Sequence, residues 1–494
     1  MRNVSKRIFL NSLACPTLGW LMRLKSEKVS REPTIAESFR MEQGKDIGRR
    51  ARELYPEGFL VDELDIISAS KKTKILMNDP NVPVIFEGSF TIDGFSAKAD
   101  ILKRKNDGWH IIEVKSNVVD KAEFIDDMAY TAMVIGRTDY PISNISILLI
   151  SRDFRLGMDN SELFVEIDHT EDVKNRVEEF KPLWETIEKI TRQPIKPEPE
   201  LRFECRKCEL FKKCLGENIE NHIFELPRLT QSKFDKLTEQ GIVCIENIPD
   251  KLLTKNQLRV KNCVQSKEQF VGKHLKNELE SIMWPAYYLD FESVMTAIPL
   301  YPDIPPYTQI PTQYSIHKCS KSGHIVDHFE YLANQNSDCR RELAENLIND
   351  LKGDGSIMVY SNFEKIIING LGREYPEFLG DLNSLTDRMI DLEAIIRKNF
   401  YNPDFHGSIS LKNTLPVLVP DMSYEGLEIT DGDNAMAIFA FLALGKYKNE
   451  EIETIKRNLL EYCKQDTMSM VKLHESLIKQ CKTADNRPVT LLDF

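Results

Sequence analysis

The run from residue 84 to residue 115 constrains the chain most. It reads as three strands, turns twice, and carries acids among its apolar positions. "VIFEGSF", "FSAKADILKR" and "GWHIIEVKS" are separated by Asp93-Gly94 and by Asn106-Asp107-Gly108, residue types that favour tight hairpin turns. Side chains two apart on a strand share a face. Glu113 and Lys115 therefore project together, and a hairpin brings Asp100 beside them. An acid inside "HIIEV" loses hydration and needs a partner or a cation. Two carboxylates at this spacing suit Mg²⁺ or Mn²⁺, which take oxygen ligands, and the lysine suits a phosphate or an attacking water. Solvated charges on an amphipathic hairpin are the plain alternative for so short a pattern.

The rest of the chain bounds what this sheet belongs to. At 494 residues, two or three domains are expected. No run of eighteen apolar residues occurs, so no membrane span is expected. The opening "MRNVSKRIFLNSLACPTLGWLMRL" has polar breaks at Asn11, Ser12 and Pro16 and lacks a small-x-small site. It reads as an amphipathic helix, not a secretion signal. Seven of the ten cysteines are scattered singly, which argues against a disulfide scaffold and for a reduced, cytoplasmic setting. The net charge of −12 disfavours a large nonspecific nucleic-acid surface but is compatible with metal-binding carboxylates and a locally basic groove. No GxxxxGK[ST] motif is present, so ATP-driven unwinding is not expected from this chain.

Further along, residues 119–136 read as a helix, "ISNISILLIS" as a buried strand and "EDVKNRVEEFKPLWETIEKIT" as helical. The prolines of "RQPIKPEPELRF" end this pattern and lead to "CRKCELFKKC". Cys205, Cys208 and Cys214 in one short stretch suit zinc or an iron–sulfur cluster, and no nearby histidine completes a zinc knuckle, His222 being the closest. Residues 221–280 read as a polar helical segment with a turn at Gly241, either a packed linker or a helix-hairpin-helix-like phosphate holder.

From Trp284 onward an α/β pattern resumes. "AYYLDFESV" places Asp290 and Glu292 on one side of a strand. "VYSNFEKIIINGL" is strand then helix, with Glu364 near the helix start. "EYCKQDT" sets Tyr462 and Asp466 one helical turn apart. Four acids from separate elements can converge on two divalent ions, with Tyr462 orienting water. Each fragment alone is weak, because Asp-x-Glu at a strand end and Tyr-x3-Asp on a helix are commonly surface decoration.

Asp100 followed by Glu113-Val114-Lys115 resembles the RecB-like branch of the PD-(D/E)xK nucleases. In "GKDIGRRAREL" Gly48 stands where that family places a metal-binding histidine, and "IDDMAYTAMVIG" lacks the family's Gln-x3-Tyr; Glu87 is a candidate extra acid. The spacing C-x2-C-x5-C is similar to that of iron–sulfur RecB-like nucleases, whose first cysteine precedes the core. That resemblance implies a 4Fe-4S cluster on Cys15, Cys205, Cys208 and Cys214, acting as a staple. Asp290, Glu292, Phe363-Glu364, "SLKNTL" and Tyr462-x3-Asp466 resemble the DnaQ-like, RNase H-fold 3′–5′ exonucleases of the DEDDy type, with Asp391 as a rival to Glu364. The whole order is similar to a bacterial family of domains of unknown function joining the two.

The resemblance implies an α/β protein of three parts. Residues 1–220 form a PD-(D/E)xK restriction-endonuclease-like domain with an iron–sulfur clasp. Residues 221–280 form a small helical linker, and residues 281–494 an RNase H-like domain. The expected activity is metal-dependent phosphodiester hydrolysis of DNA, with RNA open, and 3′–5′ exonuclease action from the C-terminal part. Asp100, Glu113, Asp290, Glu292, Glu364 and Asp466 are the expected Mg²⁺ or Mn²⁺ ligands, and Lys115 and Tyr462 the expected catalytic partners. A helicase or other DNA-processing protein is the expected protein partner, and no membrane. The alternative is a nucleic-acid-binding scaffold with one or both sites inactive.

Overall fold

The computed structural model describes residues 2–24 and 32–484. The chain divides into two compact α/β units, each built on its own mixed sheet. The first takes residues 1–204 and 295–308, the second residues 205–294 and 309–494. The 221–280 segment is part of the second unit.

In the first unit six strands lie in chain order: β1 (Phe59–Leu60), β2 (Val84–Ile92), β3 (Phe95–Lys105), β4 (Gly108–Val114), β5 (Ile142–Ile150) and β6 (Phe164–Asp168). The β2–β3 hairpin closes at Asp93 (φ 47°) and Gly94 (φ 79°), the paired left-handed residues that a tight two-residue turn requires. The β3–β4 turn ends at Gly108, where a Cβ would lie 2.5 Å from the Pro141 carbonyl oxygen, so only glycine fits. β4 and β5 are parallel, joined through the helix Glu123–Ile135, whose apolar face covers the sheet. The segment 171–191, read as helical, falls in two helices, Thr170–Phe180 and Leu183–Arg192. Pro182 sits at the break, where its missing N–H cannot continue the first helix.

The N-terminal segment is fastened to this sheet. Val4 bridges to Phe95, and its carbonyl accepts from Ser96 N at 2.9 Å and from the Tyr130 hydroxyl at 2.6 Å. Ser5 caps the helix Lys6–Ala14, and Phe9 on that helix packs against Tyr130 and Phe180 with ring centroids 5.1 and 5.0 Å away. Capping and aromatic burial together fix where Lys6 points.

The second unit holds a two-stranded pair, β7 (Phe270–Val271) with β13 (Phe400–Tyr401), and a five-stranded sheet. The sheet strands are β8 (Ala286–Val294), β9 (Ile310–Lys321), β10 (His324–Leu332), β11 (Ile357–Val359) and β12 (Met389–Asp391), in the order β10-β9-β8-β11-β12. β8, β11 and β12 are parallel, β9 runs antiparallel to β8, and β10 runs antiparallel to β9. The long helix Asn449–Ala484 crosses this sheet. Its register is set by buried polar contacts: Gln313 Nε2 donates to Leu459 O at 2.7 Å, and the Thr467 hydroxyl meets Ser315 and His317 at 2.9 and 2.8 Å. Sliding the helix by one residue would strand these groups without partners, at roughly 1–3 kcal/mol each. Among the described residues no helix is long and apolar enough to cross a membrane.

Candidate functional site

Asp290 and Glu292 lie two apart on β8, opposite Ser315 and Gln313 of β9, and point to one face. A register irregularity follows Glu292, ending the regular ladder where the acids emerge. The long helix, held by Thr467, presents Asp466 to the same place. Carboxylate oxygens of Asp290, Glu292 and Asp466 all lie within 4.8 Å of one another. Glu364, on the first turn of the helix Phe363–Glu374 that follows β11, is 3 % exposed and lies close enough to raise Asp290 through its charge. The Ser361 hydroxyl donates to Glu364 Oε2 at 3.4 Å. The structure thus brings all four sequence-predicted acids of the C-terminal part together.

Their protonation follows from crowding. Burial raises Asp290 far above the usual carboxylate range, and the negative charges of Asp466, Glu292 and Glu364 raise it further. Burial, then Asp466, pushes Glu292 up to about 8; nearby Lys412 opposes this, and Asp431 and Asp433 add to it. Burial brings Glu364 to about 7 and Asp466 to about 6. Asp466 is the lowest because the Tyr424 hydroxyl donates to its carboxylate and the neighbouring Tyr462 hydroxyl also favours the charged form. Four such acids cannot all be ionised without a compensating cation. Asp290 and Glu292 remain partly open to solvent, so a cation can reach them. Next to Glu292 the wall is Gly432, where a Cβ would already stand 3.4 Å from Oε2. The donor set fits a hard divalent cation: three close carboxylates, oxygen only, partly accessible.

Tyr462 is 4 % exposed beside Asp466, as its helical spacing requires. Burial, then the charges of Asp466, Glu292 and Asp290, raise its hydroxyl, which stays protonated at any working pH. Tyr424 was not legible in the sequence. It lies in the irregular stretch "DMSYEGLE", with no periodicity to mark it. Asp391, the rival acid, ends β12 and caps the helix Leu392–Asn399, accepting from Ala394 N at 3.0 Å. It raises Glu364 through space but has a backbone task of its own. In "SLKNTL", Ser410 precedes the helix Leu411–Leu418, and Lys412 donates to Thr430 O at 2.9 Å.

In the first unit, Asp100 lies on β3, Glu113 on β4, and Lys115 follows the strand. Asp100 Oδ2 accepts from Val114 N at 2.8 Å. Lys115 Nζ donates to Glu113 Oε1 at 3.0 Å and also pairs with Asp127. Lys6 Nζ reaches the same Oε1 at 2.7 Å, a partner no sequence spacing announced. Glu113 Oε2 is buried and, among the described residues, has no hydrogen-bond partner. Burial alone would raise Glu113; the Lys6 and Lys115 ammoniums outweigh it and hold its carboxyl below the usual value. Burial and the neighbouring Glu113 charge push Asp100 up to about 7. Lys115, buried yet flanked by Glu113 and Asp127, is raised. Glu87 sits in β2 in the left-handed region (φ 59°), between the pairs Phe86–Ile101 and Gly88–Ala99, so it stands across from Asp100. It is held by Lys98 at 2.7 Å and Arg52 at 3.4 Å. At Gly48, on the helix Ile35–Arg52, a Cβ would meet nothing within 4 Å.

Cys15 ends the helix Lys6–Ala14, and its Sγ accepts from Leu18 N at 3.4 Å. Cys205, Cys208 and Cys214 follow one another through two short turns, with Cys208 N donating to Cys205 O at 3.1 Å. All four thiols are half-buried and in no disulfide. Gly241 has φ 70°, and its N–H is donated to Thr238 O at 2.9 Å, so it is not directed at a phosphate. The helix Lys255–Ser266 begins with a capping box of Thr254 and Gln257.

No curated protein matches the chain. Residues 287–410 match the family described as Domain of unknown function (DUF2779), a stretch that carries Asp290, Glu292 and Glu364 and ends before Tyr462 and Asp466.

Proposed function

We propose that the second unit is a metal-dependent nuclease of the DnaQ-like, RNase H-fold kind, hydrolysing phosphodiester bonds of DNA with 3′–5′ polarity. One observation carries this reading: Asp290, Glu292 and Asp466 crowd their oxygens within 4.8 Å, with the buried carboxyl of Glu364 near Asp290. Divalent cations held there supply Lewis acidity toward a phosphate oxygen and an acidified water. Glu364 and Asp290, both raised by burial, would give up protons if a cation were bound beside them. Tyr424 fixes the orientation of Asp466, and Tyr462 offers a neutral hydroxyl to orient a nucleophilic water. The test is a cleavage assay on substrates labelled at the 3′ or 5′ end, in Mg²⁺ or Mn²⁺. Asp290→Ala and Asp466→Ala should lose at least about 10²-fold in rate, the scale of one electrostatic group at a reacting centre. Undiminished cleavage by both variants would refute the assignment.

For the first unit, the RecB-like reading assigns Asp100 and Glu113 to a cation and Lys115 to the phosphate. The Lys6–Glu113 ion pair favours the second reading there, a nucleic-acid-gripping half in which an ammonium takes the place of a metal. Lys115→Ala separates the two, because only an active site would lose endonucleolytic products. The 4Fe-4S cluster on Cys15, Cys205, Cys208 and Cys214 is proposed on the sequence resemblance alone. Anaerobically purified protein should be brown, and a colourless protein with stoichiometric zinc would sink that reading.

A further inference from the structure

The second unit carries a broad groove of about 2660 Å³ that none of the predicted site residues lines. Its chemistry differs from the rest of this acidic chain. Lys212, Lys213, Lys255, Lys267 and Lys273 line it, all exposed, and among the described residues none has a carboxylate within ion-pair distance. Six acids share the walls with these lysines, Arg259, Lys276 and Lys398, and two of the six are occupied: Glu225 Oε2 meets His406 Nδ1 at 3.0 Å, and Glu246 Oε1 accepts from Asn221 at 3.0 Å. Its lining also carries a cation–π platform. The Arg259 guanidinium lies 4.2 Å over the Phe270 ring and is locked by donation to the Lys398 carbonyl at 2.8 Å. Asn262, Asn277 and Asn402 add amides that can both donate and accept.

We infer that this groove binds a single-stranded polynucleotide, with the lysines on phosphates and the Arg259–Phe270 stack and amides on unpaired bases. Unpaired ammoniums give affinity without sequence preference, and a ring stacked by a guanidinium takes any base face. A duplex hides those faces, so the platform favours a single strand. One helix touches both the groove and the surroundings of the carboxylate centre. On the first turn of the helix Leu411–Leu418, Asn413 lines the groove while adjacent Lys412 acts on Glu292 and Asp466. The inference rests on the nuclease reading of those acids and adds the substrate form and its track.

The test measures fluorescence anisotropy of labelled oligothymidylate, oligouridylate and a blunt duplex with the full chain in EDTA, across a salt series. Lys255→Glu combined with Lys273→Glu should bind both single strands at least about tenfold more weakly, with a salt slope reduced by roughly 2. Lys236→Glu, on an exposed lysine outside the groove, should bind as the unmutated chain does. The milder pair Lys255→Gln with Lys273→Gln, checked by circular dichroism, should fall between and guards against misfolding. Unchanged affinity and slope in the double variants, tighter binding of the duplex, or no binding of any oligonucleotide would overturn the groove. Cleavage is read separately in Mn²⁺. Binding that depends on the groove without any cleavage would leave the groove standing and remove the nuclease reading. Cleavage with groove-independent binding would do the reverse.

Discussion

Lys6 Nζ lies 2.7 Å from Glu113 Oε1, joining residues 107 apart in sequence inside the first unit. The contact exists because Val4 is stitched to the β2–β3 turn and Ser5 starts a helix directly after it. It neutralises a carboxylate that is 4 % exposed and whose other oxygen has no hydrogen-bond partner among the described residues. Any cation approaching Glu113 meets an ammonium already in place.

Replacing Lys6 by Met should therefore destabilise the first unit by roughly 1.5–3 kcal/mol, the scale of a hydrogen bond to a buried charge. Lys115 remains on Glu113, which keeps the loss from being larger. Urea unfolding followed by tryptophan fluorescence reports it well, since Trp20, Trp109 and Trp184 all belong to this unit. A midpoint unchanged from the parent would show that the ion pair contributes nothing.

The carboxylate centre makes the second unit's stability pH-dependent with a definite sign. Asp466, Glu364 and Glu292 titrate at about 6, 7 and 8 in the folded chain, against ~4 for unfolded carboxylates. The folded state then holds more protons than the unfolded one between ~4 and about 8, and stability falls as pH rises through that window. In EDTA the melting temperature should drop from pH 5 to pH 8 in the manner of ~4 to about 8 titration, and Mn²⁺ should restore it most at the alkaline end. Calorimetry showing a cation effect that is largest at acid pH would contradict the site.

The Tyr424 hydroxyl donates to Asp466 and Tyr462 lies one helical turn before it, yet their roles should separate. Tyr424→Phe removes the donor that orients Oδ1 and should weaken Mn²⁺ binding about tenfold, as loss of an outer partner of a metal ligand does. Tyr462→Phe should leave Mn²⁺ affinity within about threefold and lower kcat instead. Titration calorimetry and the cleavage assay, run on the same preparations, distinguish the two.

Asp391 offers a clean test of rival acids. Its carboxylate caps the helix Leu392–Asn399, so Asp391→Ala should cost about 1 kcal/mol of stability. Asp391→Asn keeps the capping oxygen and should retain both stability and cleavage. If Asn abolished cleavage while the fold stayed intact, Asp391 would belong among the metal ligands.

The local elements were largely legible. The strands of 84–115 and their turns follow from alternation and from Asp-Gly and Asn-Asp-Gly, because period and turn chemistry are properties of neighbouring residues. Tyr462 and Asp466 share a face because a helix returns every fourth residue. What failed to show was β9 and β10, whose mixed "PTQYSIHKCSK" and "HIVDHFEYL" are strands because they pair with β8 and with each other, not because of their own pattern. The break at Pro182 was visible in principle and was overridden by a strong helical period on both sides.

The sequence by itself determined which acids exist, which of them share a strand or helix face, and the unusual clustering of three cysteines. Only the tertiary structure decided that Asp290, Glu292, Glu364 and Asp466 meet, since that depends on Thr467 locking a helix against Ser315 and His317 more than 140 residues away. It alone supplied Lys6, Asp127 and Tyr424 as partners. Protonation was likewise undetermined by residue type: Glu113 is lowered by two ammoniums while Glu292 is raised by burial and like charge. The physical reason is that spacing along the chain controls direction within an element, whereas burial and charge neighbours are set by how elements pack.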